Sequence, residues 1–159
     1  MTKRPAKQKL KKFQRLPTHH IDTSVILEPE KTDDGRYCKK YLNLVGYKYR
    51  GFLSFPVLGE LMYKILKLDD TGKRYDALDL IYSLIKTKKI RFRSITGTEK
   101  IVQKIKEIDE SITPMDRQIL ACAIVHKVKT LVTLDKRLIS NKNIEKEFKI
   151  QIKHPKELI

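Results

Sequence analysis

Four acidic side chains in this sequence are placed where carboxylates could hold a divalent cation. They are Asp22 in "HHIDTSVIL", Glu60 in "PVLGEL", Asp116 in "TPMDRQ" and Asp135 in "TLVTLDKRL". Hard ions such as Mg²⁺ and Mn²⁺ take oxygen ligands, usually a few carboxylates completed by water and substrate phosphate. Each acid also has a plainer role. Asp22 and Asp135 suit helix N-caps. Asp116 follows Thr113 by three residues, a capping-box spacing that the helix dipole also favours. Glu60 stands i,i+4 from Lys64, the spacing of an ordinary helical ion pair. Singly, the plainer roles suffice. Gathered at one end of a sheet, four acids would repel one another unless cations neutralised them. The set therefore points to metal-assisted hydrolysis of a phosphate ester.

The elements that must position these acids alternate between short apolar strands and helices. "HHID" reads as a strand and "TSVIL" as the start of a helix. "EPEKTDDGR" is turn-rich, with Asp34 and Gly35 as its breaker. "YCKKYLNLVG" is an amphipathic helix that Gly46 stops, and "YRGFLSF" is a strand. "PVLGELMYKILK" and "RYDALDLIYSLIKT" are helices, followed by a strand in "KIRFRSI" and an amphipathic helix in "TEKIVQKIKEI". "TPMDRQILACAIVHK" is the clearest helix, with Thr113 as cap and Pro114 as first helical residue. "TLVTL" is a strand, "DKRLI" a turn of helix and "FKIQI" a last strand. Such alternation predicts an α/β fold with a parallel sheet covered on both faces. In such sheets ligands gather beyond the carboxyl ends of the strands, where Asp22 and Asp135 fall.

Charge indicates what such a site would meet. The 159 residues carry 35 Lys and Arg against 19 Asp and Glu, a net charge of +16. Seven of the cations (Lys3, Arg4, Lys7, Lys9, Lys11, Lys12 and Arg15) fall in the first fifteen positions, leaving +9 on the body. Residues 1–18 hold no acid and read as a basic arm, mobile unless nucleic acid orders it, with helix over residues 7–15. The balance suits a polyanion, nucleic acid first, although a Lys-rich proteome-wide composition would produce part of it. No apolar run is long enough to span a bilayer, and the basic N-terminus lacks the apolar segment of a secretory signal. Two cysteines, Cys38 and Cys122, are too few for a disulfide framework or a zinc site, so a cytoplasmic location is expected.

Other side chains were weighed for the same chemistry. His19 and His20 are adjacent on a strand and point to opposite faces, so at most one could enter the site; packing is the simpler expectation. Cys122 in "ILACAIV" suits a core position, and His126 a helix end. Tyr41, Tyr47 and Tyr49 interleave with Lys40, Lys48 and Arg50, a mixture able to clamp single-stranded RNA or to form an ordinary helix and strand surface. The sequence has no Gly-rich phosphate loop.

The order "IDTSVIL", "GE" with Glu60 38 residues after Asp22, "TPMDRQILACAI", and "LVTLDKRL" with Asp135 nineteen residues after Asp116 resembles the PIN domain, as in VapC-type ribonucleases. The similarity spans about residues 18–153. The resemblance implies a three-layer α/β/α fold around a parallel sheet of four to five strands. It casts residues 19–159 as the nuclease domain, Asp22, Glu60, Asp116 and Asp135 as its acidic quartet, and Thr133 as the hydroxyl residue before the last acid. Thr23 or Ser24 would stand by the first. It further implies Mg²⁺ or Mn²⁺ dependence and endonucleolytic cleavage of RNA. A VapC-type role would bring an antitoxin protein and admits a homodimer; an RNA-processing nuclease is the near alternative. The rival of another class is a non-catalytic RNA-binding or assembly protein. Residues 28–35 stand out as a polar insertion, and the basic arm exceeds what a minimal domain needs.

Overall fold

The computed structural model describes residues 4–88 and 90–159, with side chains described from residue 9 onward apart from residue 89. Five parallel strands form one sheet: β1 (Thr18–Ile21), β2 (Arg50–Ser54), β3 (Arg91–Arg93), β4 (Thr130–Val132) and β5 (Gln151–Lys153), in the order β3-β2-β1-β4-β5. Parallel neighbours need crossovers. These are supplied by α2 (Thr23–Leu27), α3 (Asp33–Leu44), α4 (Phe55–Leu66), α5 (Thr71–Lys88), α6 (Glu99–Ile108), α7 (Pro114–Val125), α8 (Lys136–Ser140) and α9 (Lys142–Phe148). A helix α1 (Arg4–Gln14) precedes the sheet, and a 3₁₀ turn over Pro155–Leu158 follows it. The expected three-layer α/β/α fold with a parallel sheet is the fold observed. The arm is helical from Arg4, and its last residue, Thr18, already belongs to β1. The first three residues of the arm lie outside the described residues.

The core lies on both faces of the two central strands, β1 and β4, and their neighbours. Ile21, Leu53, Leu131, Val132 and Ile152 are all at most 1% exposed. Val57, Leu61 and Ile65, each one turn apart on α4, are buried against them. Burying side chains of this size stabilises by roughly 1.5–3 kcal/mol apiece. On α7 the buried stretch Ile119–Ala123 includes Cys122, which packs in the core as its apolar neighbours predict. Both cysteines are free and buried, and burial pushes the Cys38 thiol up to about 12.

Local chemistry sets the boundaries. Thr113 caps α7 by accepting from the Asp116 amide, with Pro114 in the first turn. Asn141 caps α9 by accepting from the Ile144 amide at 3.2 Å. Gly46 stops α3 in the left-handed region, at φ +84°, where a side chain would also press on the backbone of Lys88. Gly35 corrects an expectation. It lies inside the first turn of α3, whose cap Thr32 accepts from the Gly35 amide at 2.9 Å. A Cβ there would stand 1.9 Å from the Pro29 carbonyl oxygen, so glycine permits the loop to close on the helix rather than breaking it.

Candidate functional site

Register brings the first and last acids together. Ile21 pairs with Val132, and the Asp22 amide donates to the Val132 carbonyl at 3.0 Å. The residues that follow each strand, Asp22 and Thr133, are therefore neighbours although 111 positions separate them. Thr133 Oγ1 donates to Asp22 Oδ2 at 2.8 Å, and Ser24 Oγ donates to the same oxygen at 2.6 Å. Both hydroxyls are fixed in turn by the chain leaving β4. The Leu134 amide donates to Ser24 Oγ, and the Asp135 amide to Thr133 Oγ1, each at 3.1 Å.

Asp22 occupies the N-cap position of α2 with extended backbone, yet makes no side-chain capping bond. Its carboxylate is held by hydroxyls instead of helix amides, is 8% exposed, and leaves Oδ1 without a hydrogen bond among the described residues. The capping role expected as an alternative is thus not the one this side chain performs. For the other three acids the plainer role is present. Asp135 accepts from the Arg137 amide at 2.8 Å and lies 3.4 Å from the Arg137 guanidinium. Asp116 accepts from Thr113 Oγ1 at 2.6 Å within the α7 cap. Glu60 takes Lys64 on one oxygen at 2.8 Å and Thr23 Oγ1 on the other at 2.7 Å. Thr23 and Ser24, offered as alternatives by the sequence, serve different acids.

These interactions do not keep the four acids apart electrostatically. Burial raises the Asp116 carboxyl above the usual carboxylate range, and the charges of Asp22, Asp135 and Glu60 push it further in the same direction. The Thr113 hydrogen bond opposes them. All four acids therefore share one local field, at the carboxyl ends of β1, β2 and β4. Among the described residues, no three His, Cys, Asp or Glu side chains converge closely enough to hold one ion as they stand. The donor chemistry nevertheless fits a hard divalent cation, being all oxygen, strongly anionic and supplied with an unengaged oxygen on Asp22. Such an ion would compete with Thr113 for Asp116 and with Arg137 for Asp135.

The remaining candidates resolve into packing. His19 stacks on Tyr49 with centroids 4.0 Å apart, and its Nδ1 lies 3.1 Å from the Tyr41 hydroxyl. His20 is fully buried on the opposite face with no partner for either ring nitrogen among the described residues. The His126 ring lies at the end of α7 and reaches across to the Ser94 carbonyl at 3.0 Å. Tyr41 and Tyr49 are buried, so neither can stack on RNA; Tyr47 alone of the three is exposed, at 82%. The sequence reading missed an apolar rim beside Asp116, where exposed Phe55, Ile95 and Met115 line a shallow slot with Pro56, Pro114 and Gln118. These residues flank turns and carry no periodicity that would mark them. A second concavity of about 570 Å³ lies among α2, α3, α4 and α5, lined by Ile26, Cys38, Leu42, Ile65, Ala77 and Leu84.

Comparison with known families places this geometry. The family model of the PIN domain matches residues 20–143. The chain belongs to the PIN domain family. No curated protein sequence matches the chain. Among solved structures, the PIN fold of this chain resembles a chain of VapBC2 from Rickettsia felis bound to a DNA fragment from their promoter, with a TM-score of 0.66 at 17% identity, covering 86% of this chain and 98% of that one. It resembles VapBC-5 from Mycobacterium tuberculosis, of the VapBC family of toxin-antitoxin systems, with a TM-score of 0.57 at 14% identity, covering 86% and 96%. It also resembles Mycobacterium tuberculosis VapC20, described as a toxin that cleaves the sarcin-ricin loop, with a TM-score of 0.55 at 17% identity, covering 74% and 90%. No helix among the described residues is long and apolar enough to cross a membrane.

Proposed function

We propose that this PIN domain protein is a divalent-metal-dependent endoribonuclease of the VapC type, with Asp22, Glu60, Asp116 and Asp135 as its metal-binding acids. The observation that carries the reading is the Asp22 carboxylate. It stands at a helix N-cap without capping, is pinned through one oxygen by Thr133 and Ser24, and presents the other. A residue kept only for stability would cap.

When bound, Mg²⁺ or Mn²⁺ would activate a water for attack on phosphorus and offset the charge on the leaving oxygen. This chain's residues supply the rest. Asp22 is oriented by Thr133, which also accepts from the Asp135 amide, so one hydroxyl ties the Asp22 carboxylate to the backbone of Asp135. Glu60 is oriented by Thr23 and by Lys64. Asp116 belongs to the set through the field that raises its carboxyl. The excess positive charge of the chain draws the RNA backbone toward this acidic end.

The apolar concavity among α2, α3, α4 and α5 gives the toxin reading a place for an antitoxin, since structural neighbours of the same fold come from toxin-antitoxin systems. It is mainly apolar, with Lys39, Lys64, Lys88, Glu28 and Glu30 among its lining residues, and none of the four acids lines it, although Lys64 pairs with Glu60. Homodimerisation and a cytoplasmic location complete the proposal. An RNA-processing nuclease would use the same site.

The test is cleavage of mixed cellular RNA with and without Mg²⁺ or Mn²⁺, beside thermal melting. Metal-dependent cleavage is expected, and Asp22→Asn should lower it by at least about 10–100-fold. The ion should also raise the melting temperature in a concentration-dependent way. One observation favours the non-catalytic RNA-binding alternative: Asp116 and Asp135 are engaged as caps, and the acids do not converge on one point. Ion-independent melting, with equal RNA handling by wild type and Asp22→Asn, would establish that alternative.

A further inference from the structure

The acids stand at the carboxyl edge of the sheet, and a basic feature free of ion pairs among the described residues stands at the other edge. Helix α1 runs into β1, and the turn Gly46-Tyr47-Lys48 runs into β2, so both lie at the amino ends of the strands. Between them is a cleft of about 620 Å³ lined by Lys9, Lys12, Phe13, Leu16, Tyr47 and Lys48, with Gly46 at its base. Among the described residues, no carboxylate lines it. Lys9, Lys12 and Lys48 are exposed, and none of them makes an ion pair among the described residues.

The aromatic member is held out by its backbone. The Gly46 amide donates to the Tyr49 carbonyl and the Lys48 amide to the Leu44 carbonyl, each at 2.7 Å. This tight turn leaves Tyr47 82% exposed while Tyr49, two residues on, is buried. An exposed ring beside three cations free of carboxylates is poorly explained by packing. It matches the requirements of a single strand of nucleic acid, whose bases stack on aromatic faces while lysines follow the phosphates.

We propose that this cleft is a second nucleic-acid site that grips single-stranded RNA, with Tyr47 stacking a base and Lys9, Lys12 and Lys48 contacting the backbone. The inference rests on the reading of the substrate as RNA but not on cleavage. The strands rise about 3.3 Å per residue, so the four residues of β1 and five of β2 put the cleft roughly 13–17 Å from the acidic edge. A substrate must therefore extend several nucleotides beyond the cut to occupy both. The cleft would hold substrate equally before and during reaction, so it acts on the Michaelis constant and not on turnover.

The experiment measures binding of an unstructured pyrimidine oligoribonucleotide to the full chain, in EDTA, across a salt titration. The triple variant Lys9→Ala, Lys12→Ala, Lys48→Ala should flatten the plot of log affinity against log salt by about 2, because each phosphate contact on a single strand contributes about 0.7. Tyr47→Ala should weaken binding about 10-fold while leaving the slope unchanged. All four positions are exposed, and the contact of Lys48 with the Tyr49 ring is worth at most about 1 kcal/mol, so the variants should stay folded with melting temperatures little changed. Because EDTA withdraws divalent ions, binding is read apart from cleavage, which separates failure of this site from failure of the nuclease reading. Unchanged slope and affinity in the folded variants would overturn the proposal. So would polyglutamate binding with the same dependence on Tyr47, which would make the occupant an acidic peptide.

Discussion

Replacing Thr133 by valine tests whether the hydroxyl, rather than the packing around it, organises the acidic edge. Thr133 is fully buried and its methyl-bearing shape is retained by valine, so no sizeable cavity opens. Three hydrogen bonds are lost: the 2.8 Å bond to the Asp22 carboxylate, the 3.1 Å bond from the Asp135 amide and a long 3.4 Å contact with Ser24 Oγ, too long to add much. A bond to a charged group contributes about 1.5–3 kcal/mol and a neutral one about 0.5–1.5 kcal/mol. Thr133→Val should therefore cost about 2–4 kcal/mol, or about 4–16 °C in melting temperature for a chain of this length. Thr133→Ser keeps the hydroxyl and should lose only about 1 kcal/mol, the worth of a buried methyl. The decisive assay is a double-mutant cycle with Asp22→Asn in denaturant unfolding. Neutralising the acceptor turns a charged bond into a neutral one, so the two substitutions should couple by about 1 kcal/mol. Cleavage under the proposed function should fall about 10–100-fold in the valine variant and recover in the serine variant. A cost below about 0.5 kcal/mol with additive behaviour in the cycle would refute the reasoning, since no bond of this kind could then join the two strand ends.

Two predictions concern pH. Burial, reinforced by the nearby charge of His126, lowers His20 to about 3, against an ordinary value near 6.5. A histidine depressed in the folded state binds its proton first on unfolding, so stability falls as pH drops below about 6.5, by about 1.4 kcal/mol per unit until pH nears the folded value. His20→Leu should flatten the slope of unfolding free energy against pH by close to one proton between pH 4 and 6; an unchanged slope would show that His20 is not buried and neutral. For Asp116, burial and the neighbouring acids raise the carboxyl, so its ionisation opposes folding and its stabilising influence is lost as pH rises. Asp116→Asn should raise the melting temperature of the metal-free protein at neutral pH and leave it unchanged or lower at acid pH, and a fall at neutral pH would show that the Thr113 cap dominates.

Elements with strong local signals were legible in the sequence. Thr113 and Pro114 announced α7, and "TLVTL" announced β4, because caps and apolar runs act over a few residues. Helix α9 was not foreseen. Its seven residues, Lys142–Phe148, are mostly polar, and only Ile144 is buried, so no periodicity marked it. Tyr41 and Tyr49 lay among cations in the sequence but pack with His19 inside the fold, since a helix face and strand alternation hide them while their neighbours reach solvent. The acids themselves were legible as a set through order and spacing. What each carboxylate binds was not, because the bond between Thr133 and Asp22 depends on the register of β1 with β4.

The question of whether Asp22 is a cap or a carboxylate for chemistry thus turns on where its oxygens point. An aspartate that caps a helix contributes typically about 1 kcal/mol, and Asp22 has the sequence position and the extended backbone to do so. It forgoes that contribution and places its charge in a local field with three other acids, which adds to the burial that raises Asp116 and so opposes folding. The two hydroxyl bonds from Ser24 and Thr133 offset part of the loss, yet they use one oxygen and leave the other without a hydrogen bond among the described residues. Selection for stability alone would turn this side chain toward the amides of α2 or replace it with a neutral cap. A positive charge brought to that second oxygen would reverse the balance, converting mutual repulsion among the acids into shared attraction. Under the proposed function, the strand end whose charges oppose folding is the one that would meet a cation and the phosphate it accompanies.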